Sequence, residues 1–193
     1  MYCKCKKKNK KKQKTKKTQY LTSINKILIS DIINIFSKKI KTTMNTEQGN
    51  IKIIKANLLT VNGPIAHCIS QDLAMRKGVA KQIRNKFGDT EQLKRQNVQL
   101  GHIGVTTKRT RETTETTFCF HMVTKHRYYQ KPTLATFQMA LQNLKRQLEI
   151  KNIKTISIPW IGTGLDRIPR HIVWDILKQV FNKTEIQVII CEL

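Results

Sequence analysis

The sequence predicts an α/β fold of three layers, α/β/α, with a mixed central sheet and a basic N-terminal extension. Three observations lead there. Apolar runs rich in Ile and Val alternate with runs of helical period, the pattern of strands that return through crossover helices onto a sheet covered on both faces. With 193 residues and 39% hydrophobic side chains, the chain suffices for one domain and an appendage. The net charge of +25 is unevenly spread: the first 20 residues hold ten lysines and no acid, which leaves +15 on the other 173.

Residues 1–20 cannot bury enough apolar surface to fold alone and are expected to form a lysine-rich disordered tail. Residues 21–49 read as an amphipathic helix and linker, with Leu21, Ile24, Leu28, Ile32 and Ile35 at helical spacing over 21–43. Met44 opens a polar stretch and offers a second start. The domain spans 50–193. Strands are expected at 51–59 and 64–70, then a helix over 73–87 stopped by Gly88, and a short helix near 90–97. Two β-rich runs follow, 98–107 and 116–124, joined by the polar hairpin connection KRTRETTE. Residues 133–150 form the clearest helix. Leu134, Phe137, Leu141, Leu144 and Leu148 share one face, and Thr133 can cap it. A strand over 155–161, a glycine loop, a helix opening near Pro169 and a strand over 186–191 complete the chain.

Composition excludes several classes. No stretch reaches the roughly 18 apolar residues that span a bilayer, and no secretory signal is seen, so neither a membrane partner nor export is expected. Five cysteines, an odd number without regular spacing, argue against a disulfide framework. Cys68, Cys119 and Cys191 lie in apolar runs, as buried reduced thiols of an intracellular, nuclear or cytoplasmic protein do. Cys3 and Cys5 have no second pair at zinc spacing, so neither a metal nor a redox cofactor is expected. The basic balance suits nucleic acid, poly-ADP-ribose and acidic membranes alike and does not choose among them; the partner expected for residues 1–43 is nucleic acid or poly-ADP-ribose. The alternative for the leader is a solvated tail. A monomer is expected.

Three runs carry chemistry. In SIPWIGTGLDRIP, residues 157–169, Gly162 and Gly164 permit positive φ and close backbone approach, and the following helix N-terminus favours a phosphate. A tight turn without ligand is the plainer reading. Asp166 is either a helix-capping carboxylate or a general base or ribose-hydroxyl acceptor. In MVTKHRYYQKPT, residues 122–133, Lys125 follows an apolar strand. It is either a solvated charge or a desolvated nucleophile toward a sugar carbon. His121 and His126 are taken as ordinary core or surface histidines. In the third run, residues 66–88, Gly78 lies within the expected helix at a cost of about 1 kcal/mol relative to alanine, which points to a close backbone approach.

Taken together, KANLL, AHCIS with Met75 and Gly78 downstream, VTK, KPT, PWIGTGLDR and the terminal IICEL resemble the macro domains, from Ile51 to Leu193. The resemblance is to the branch containing terminal ADP-ribose protein glycohydrolase, also described as O-acetyl-ADP-ribose deacetylase. It implies a macro domain fold with a cleft at the strand C-terminal ends. It also implies hydrolysis of an ADP-ribosyl linkage on acidic side chains, on an acetyl group or on nucleic acid. Lys125 would be the nucleophile and Asp166 would resolve the covalent adduct. Trp160, Ile161, Gly162, Thr163, Gly164 and Leu165 would hold the diphosphate and distal ribose. Ser70 and Gly78 would also contact ADP-ribose, and Asn57, Leu58 and Leu193 would lie near the proximal ribose and adenine.

Departures from the family pattern bear on this. Ala56, Asn57, Leu58 replace the usual Gly-Asp-Leu, so any acceptor for the adenine amino group lacks charge assistance, a loss of about 1 kcal/mol. Arg76 and Lys77 precede Gly78 where small residues are usual, and either narrow the phosphate entrance or attract the diphosphate. Trp160 replaces a residue that is often arginine, and either stacks on a base or packs. The alternatives to hydrolysis are a non-catalytic ADP-ribose reader and an ADP-ribose 1″-phosphate phosphatase.

Overall fold

A computed structural model describes residues 46–88, 90–109 and 116–193 of the protein. The lysine-rich tail, the helix expected over 21–43, Met44, Cys3 and Cys5 lie outside the described residues, as do residues 110–115 of the expected hairpin connection.

Among the described residues, seven strands and four helices follow one another as β1 (Thr46–Gln48), β2 (Ile51–Lys55), β3 (Ile65–Ser70), α1 (Gly78–Phe87), α2 (Glu91–Gln96), β4 (Ile103–Arg109), β5 (Thr116–Lys125), α3 (Leu134–Ile150), β6 (Thr155–Pro159), α4 (Arg170–Phe181) and β7 (Gln187–Glu192). The sheet order is β1-β2-β7-β6-β3-β5-β4. The five inner strands are parallel, and β1 and β4 pair antiparallel at the two edges. Strand β1 falls inside the span read as linker; its three residues pair with Ile51–Ile53.

Alternation along the strands builds the layers. Ala66, Phe120, Met122, Ile156, Ile158, Val188 and Ile190 face one side and pack on α3 and α4 through Phe137, Leu141, Leu144, Val173, Leu177 and Phe181. Ile65, Ile69, Cys119 and Val123 face the other side, covered by Ile83 of α1, Leu93 of α2 and Met75. Thr133 caps α3 as expected, its hydroxyl accepting the Thr136 N–H at 3.1 Å.

The expected helix over 73–87 is shorter by five residues. Leu73 and Met75 adopt φ of 52° and 37°, which a right-handed helix cannot contain. Gly78 is therefore the first helical residue rather than an interior one, and its own φ of +59° accounts for the glycine. Strand β6 likewise ends at Pro159, two residues early, where the chain turns back and Ile161 N–H donates to the Pro159 carbonyl at 2.6 Å.

Candidate active site

Because β3, β5 and β6 are parallel, Ser70, Lys125 and Pro159 end at the same side of the sheet. Beyond them opens a cleft of about 820 Å³. One wall is the segment from Met75 to Ala80, the other the loop from Trp160 to Asp166. Lys125 lies between, and Tyr128, Tyr129 and Lys131 complete the rim.

Lys125 Nζ donates to Asp166 Oδ1. The two side chains are only 12% and 9% exposed, so the pair is largely desolvated. Asp166 is not a helix cap: α4 begins at Arg170 with Pro169 as its N-cap and no capping side chain. Lys125 is not a solvated strand end. The Cys68 thiol lines the same cleft, and burial, then the Asp166 carboxylate, push it up to about 12. It therefore stays protonated and is no rival nucleophile.

Two sets of backbone amides belong to residues that line the cavity. The first turn of α1, Gly78 to Ala80, presents the orphan N–H groups of a helix start. Opposite, among the described residues, the amides of Gly164, Leu165 and Asp166 close no hydrogen bond within the protein, while those of Thr163, Arg167 and Ile168 bond within the loop. The two glycines of this loop differ. Gly162 has φ of +74°, and a Cβ there would lie 2.8 Å from Ile168 Cδ1 and 3.0 Å from Phe137 Cε2. Gly162 thus serves packing. Gly164 lacks positive φ, and a Cβ there would meet nothing within 4 Å, so its bare backbone faces open space. The Leu165 side chain reaches toward Gly78 on the opposite wall: a Cβ on Gly78 would lie 3.8 Å from Leu165 Cδ1.

Further contacts brace the walls. Asp72 accepts the Ser70 hydroxyl at 2.5 Å, the Ala74 amide at 3.2 Å and the Tyr128 amide at 3.0 Å. Against burial, which acts to raise it, these donors and Arg127 hold its carboxyl below the usual range. Lys131 Nζ donates to the Leu165 carbonyl, tying the segment after β5 to the glycine loop. The Arg76 guanidinium lies 5.7 Å from the Tyr128 ring centroid, a cation–π contact at the rim.

Ser70, Gly78, Trp160, Ile161, Gly162, Gly164 and Leu165, expected from the sequence, all line the cleft with Lys125 and Asp166. Asn57, Leu58, Thr163 and Leu193 do not. The Asn57 Oδ1 accepts the Leu59 amide at 2.9 Å and holds a turn. Leu58 is 5% exposed and packs with Ile65, Ile83 and Cys191, so its side chain serves the core. The Thr163 hydroxyl donates to the Trp160 carbonyl at 2.8 Å, and Leu193 is 89% exposed. Trp160 packs against the core and lies 5.0 Å below the Arg170 guanidinium, which itself pairs with Glu192 at 2.6 Å. The bracing role of Asp72 and the places of Cys68, Lys131 and the tyrosine pair at the cleft escaped the sequence reading. The adjacent aromatics in the polar run RYYQ were its one visible signal.

The Macro domain family model matches residues 66–177. The chain belongs to the macro domain family. Among curated relatives, this macro domain is 30% identical over 149 residues to the ADP-ribose glycohydrolase OARD1 of Homo sapiens, covering 76% of this chain and 94% of the relative. It is 28% identical to that of Bos taurus, over 77% of this chain and 95% of the relative. Among solved structures, the macrodomain of Mycobacterium tuberculosis DarG superposes with a TM-score of 0.67 at 19% identity, over 76% of this chain and 99% of that one. Thermosipho africanus DarTG, solved in complex with ADP-ribose, gives 0.65 at 16% identity over 76% of this chain and 43% of that one. These structural likenesses show the shared fold.

Proposed function

We propose that this macro domain binds ADP-ribose in the cleft and hydrolyses an ADP-ribosyl linkage through Lys125 and Asp166. One observation carries the reading: a desolvated amine and carboxylate meet between two sets of free amides. The amides of α1 and of Gly164 to Asp166 suit a diphosphate, and Arg76, Lys77 and Lys131 add positive charge. Proton transfer from Lys125 Nζ to Asp166 frees the amine lone pair. The amine attacks the anomeric carbon of the distal ribose, the bond from that carbon to the acceptor's oxygen or nitrogen breaks, and the acceptor departs with the bonding electrons and the proton held by Asp166. Asp166, once more a carboxylate, takes a proton from the water that attacks the same carbon; the bond from that carbon to Nζ breaks, Lys125 leaves with the bonding electrons, and ADP-ribose is released.

The substrates proposed are ADP-ribose esters of acidic side chains, O-acetyl-ADP-ribose and ADP-ribose linked to nucleic acid. Incubating the protein with each and following free ADP-ribose by chromatography tests the reading. Release by the wild type and its loss in Lys125→Ala is the expected result; release equal to a blank on all three overturns hydrolysis. A second reading, a reader without turnover, is favoured by the ion pair itself, because the amine is held by Asp166 before any substrate binds. Tight ADP-ribose binding by calorimetry with no product would establish it.

A further inference from the structure

Behind the cleft, on the sheet face under α1, the core contains a polar group that the proposed chemistry does not use. His67 on β3 and His121 on β5 sit opposite each other, 1% and 2% exposed. His67 Nε2 and His121 Nδ1 are 2.7 Å apart, and Thr106 Oγ1 on β4 lies 2.8 Å from His121 Nε2. Cys119, two residues from His121 on the same face, is fully buried. One ligand atom from each of His67, Cys119 and His121 can be chosen so that all three lie within 4.8 Å of one another. The hydrogen-bonded chain leaves one group over: His67 Nδ1 is buried and accepts or donates no hydrogen bond among the described residues.

We infer that His67, Cys119 and His121 form a buried binding site for one zinc-type divalent ion, separate from the Lys125–Asp166 pair. Two imidazoles and a thiol are the ligand chemistry of zinc. Nitrogens about 2.0–2.1 Å from a tetrahedral zinc lie about 3.3 Å apart, so the imidazoles need to separate by roughly 0.6 Å. Protons balance as follows. His121 keeps its one proton on Nε2 and donates it to Thr106, the usual second partner of a ligating histidine. His67 carries its proton on Nδ1, the nitrogen left over by the hydrogen-bonded chain, and offers Nε2. The Cys119 thiol loses its proton to solvent as its sulfur binds the ion. His67 also lines the cleft, which gives an ion a route from solvent.

Cobalt(II), which takes the same geometry and is coloured, is the probe. The full chain is stripped with a chelator and titrated with cobalt(II) alone, then with zinc(II). A thiolate-to-cobalt charge-transfer band saturating at one equivalent is expected. It should persist in Cys3→Ser/Cys5→Ser, which removes the Cys-x-Cys pair of the leader, and vanish in the near-isosteric Cys119→Val. His121→Gln keeps the thiolate and should weaken binding at least tenfold, which preserves the test if Cys119→Val does not fold. Zinc(II) should raise the melting temperature of the wild type and leave that of His121→Gln unmoved. No band, a band kept in Cys119→Val, a band lost with the leader cysteines, or unchanged affinity in His121→Gln each overturns the site.

Discussion

The Asp72 carboxylate reaches from the turn after β3 to the segment after β5, accepting the Tyr128 N–H at 3.0 Å through Oδ2. Its other oxygen takes the Ser70 hydroxyl and the Ala74 amide, so one side chain ties together the ends of two neighbouring strands. Asp72→Ala removes three hydrogen bonds to a charged acceptor. It should destabilise the protein by about 1–3 kcal/mol in urea unfolding. It should also lower turnover more than ADP-ribose affinity, because Lys125 heads the tethered segment. Unchanged stability and turnover would show the tether to be idle.

Under the proposed function, the Lys125–Asp166 pair makes opposite demands on activity and stability. Removing one partner leaves the other charge largely buried, so Lys125→Ala should cost about 2–4 kcal/mol as well as all turnover. Replacing both, Lys125→Met with Asp166→Leu, should restore most of that stability while leaving the enzyme dead. A double variant less stable than either single one would mean the pair is a structural strut. Denaturant midpoints and product release, measured on the wild type, Lys125→Met, Asp166→Leu and the double variant, decide it.

The loop glycines separate packing from binding. Gly162→Ala forces a methyl against Ile168 and Phe137 at positive φ, and should cost about 2–4 kcal/mol. Gly164→Ala meets open space at ordinary φ and should leave the melting temperature nearly unchanged. Its methyl should instead weaken ADP-ribose binding several-fold in calorimetry. Equal effects of the two substitutions on stability would contradict this division.

Acid should destabilise chelator-stripped protein through the buried histidines. Burial, then His121, lowers His67 well below 6.5, and burial lowers His121 to about 4; Thr106 and Cys119 are the neighbouring polar groups. The folded state therefore resists protons that the unfolded chain accepts below its ordinary value near 6.5. Stability is full above that value, declines as pH falls through it, and keeps falling toward the folded value. For His121 the loss reaches on the order of 3 kcal/mol near pH 4. Denaturant midpoints from pH 8 to pH 4 should show the slope, and His121→Gln should flatten it.

Much of this was legible in the sequence because it is written in periodicity. The helix over 133–150, its Thr133 cap and the core face from Phe137 to Leu148 follow from spacing alone. The location of Lys125 and Asp166 was legible for another reason: one ends an apolar strand and the other lies in a glycine loop, positions that a parallel sheet gathers to one side, while their roles came only from the resemblance. What was not legible depended on contacts across the chain. The late start of α1 comes from the Asp72 tether and from backbone at Leu73 and Met75 that no local preference signals. Leu58 was placed near the adenine by resemblance alone; beside the turn held by Asn57, its side chain packs in the core. The His67–His121 pair is separated by 53 residues of sequence, and only the β3–β5 register makes them neighbours.

Strands β3 and β5 run in step from Ile65 opposite Cys119 to Ile69 opposite Val123, and then Ser70 stands opposite Lys125. Thr124 is thus a supernumerary residue, tucked inward, its carbonyl taking the Thr136 hydroxyl at 2.9 Å. That single extra step sets the phase in which the amine leaves the sheet. Length changes can accumulate in the surface turns, but excising Thr124 would regularise the ladder and aim the amine at the wrong storey of the molecule.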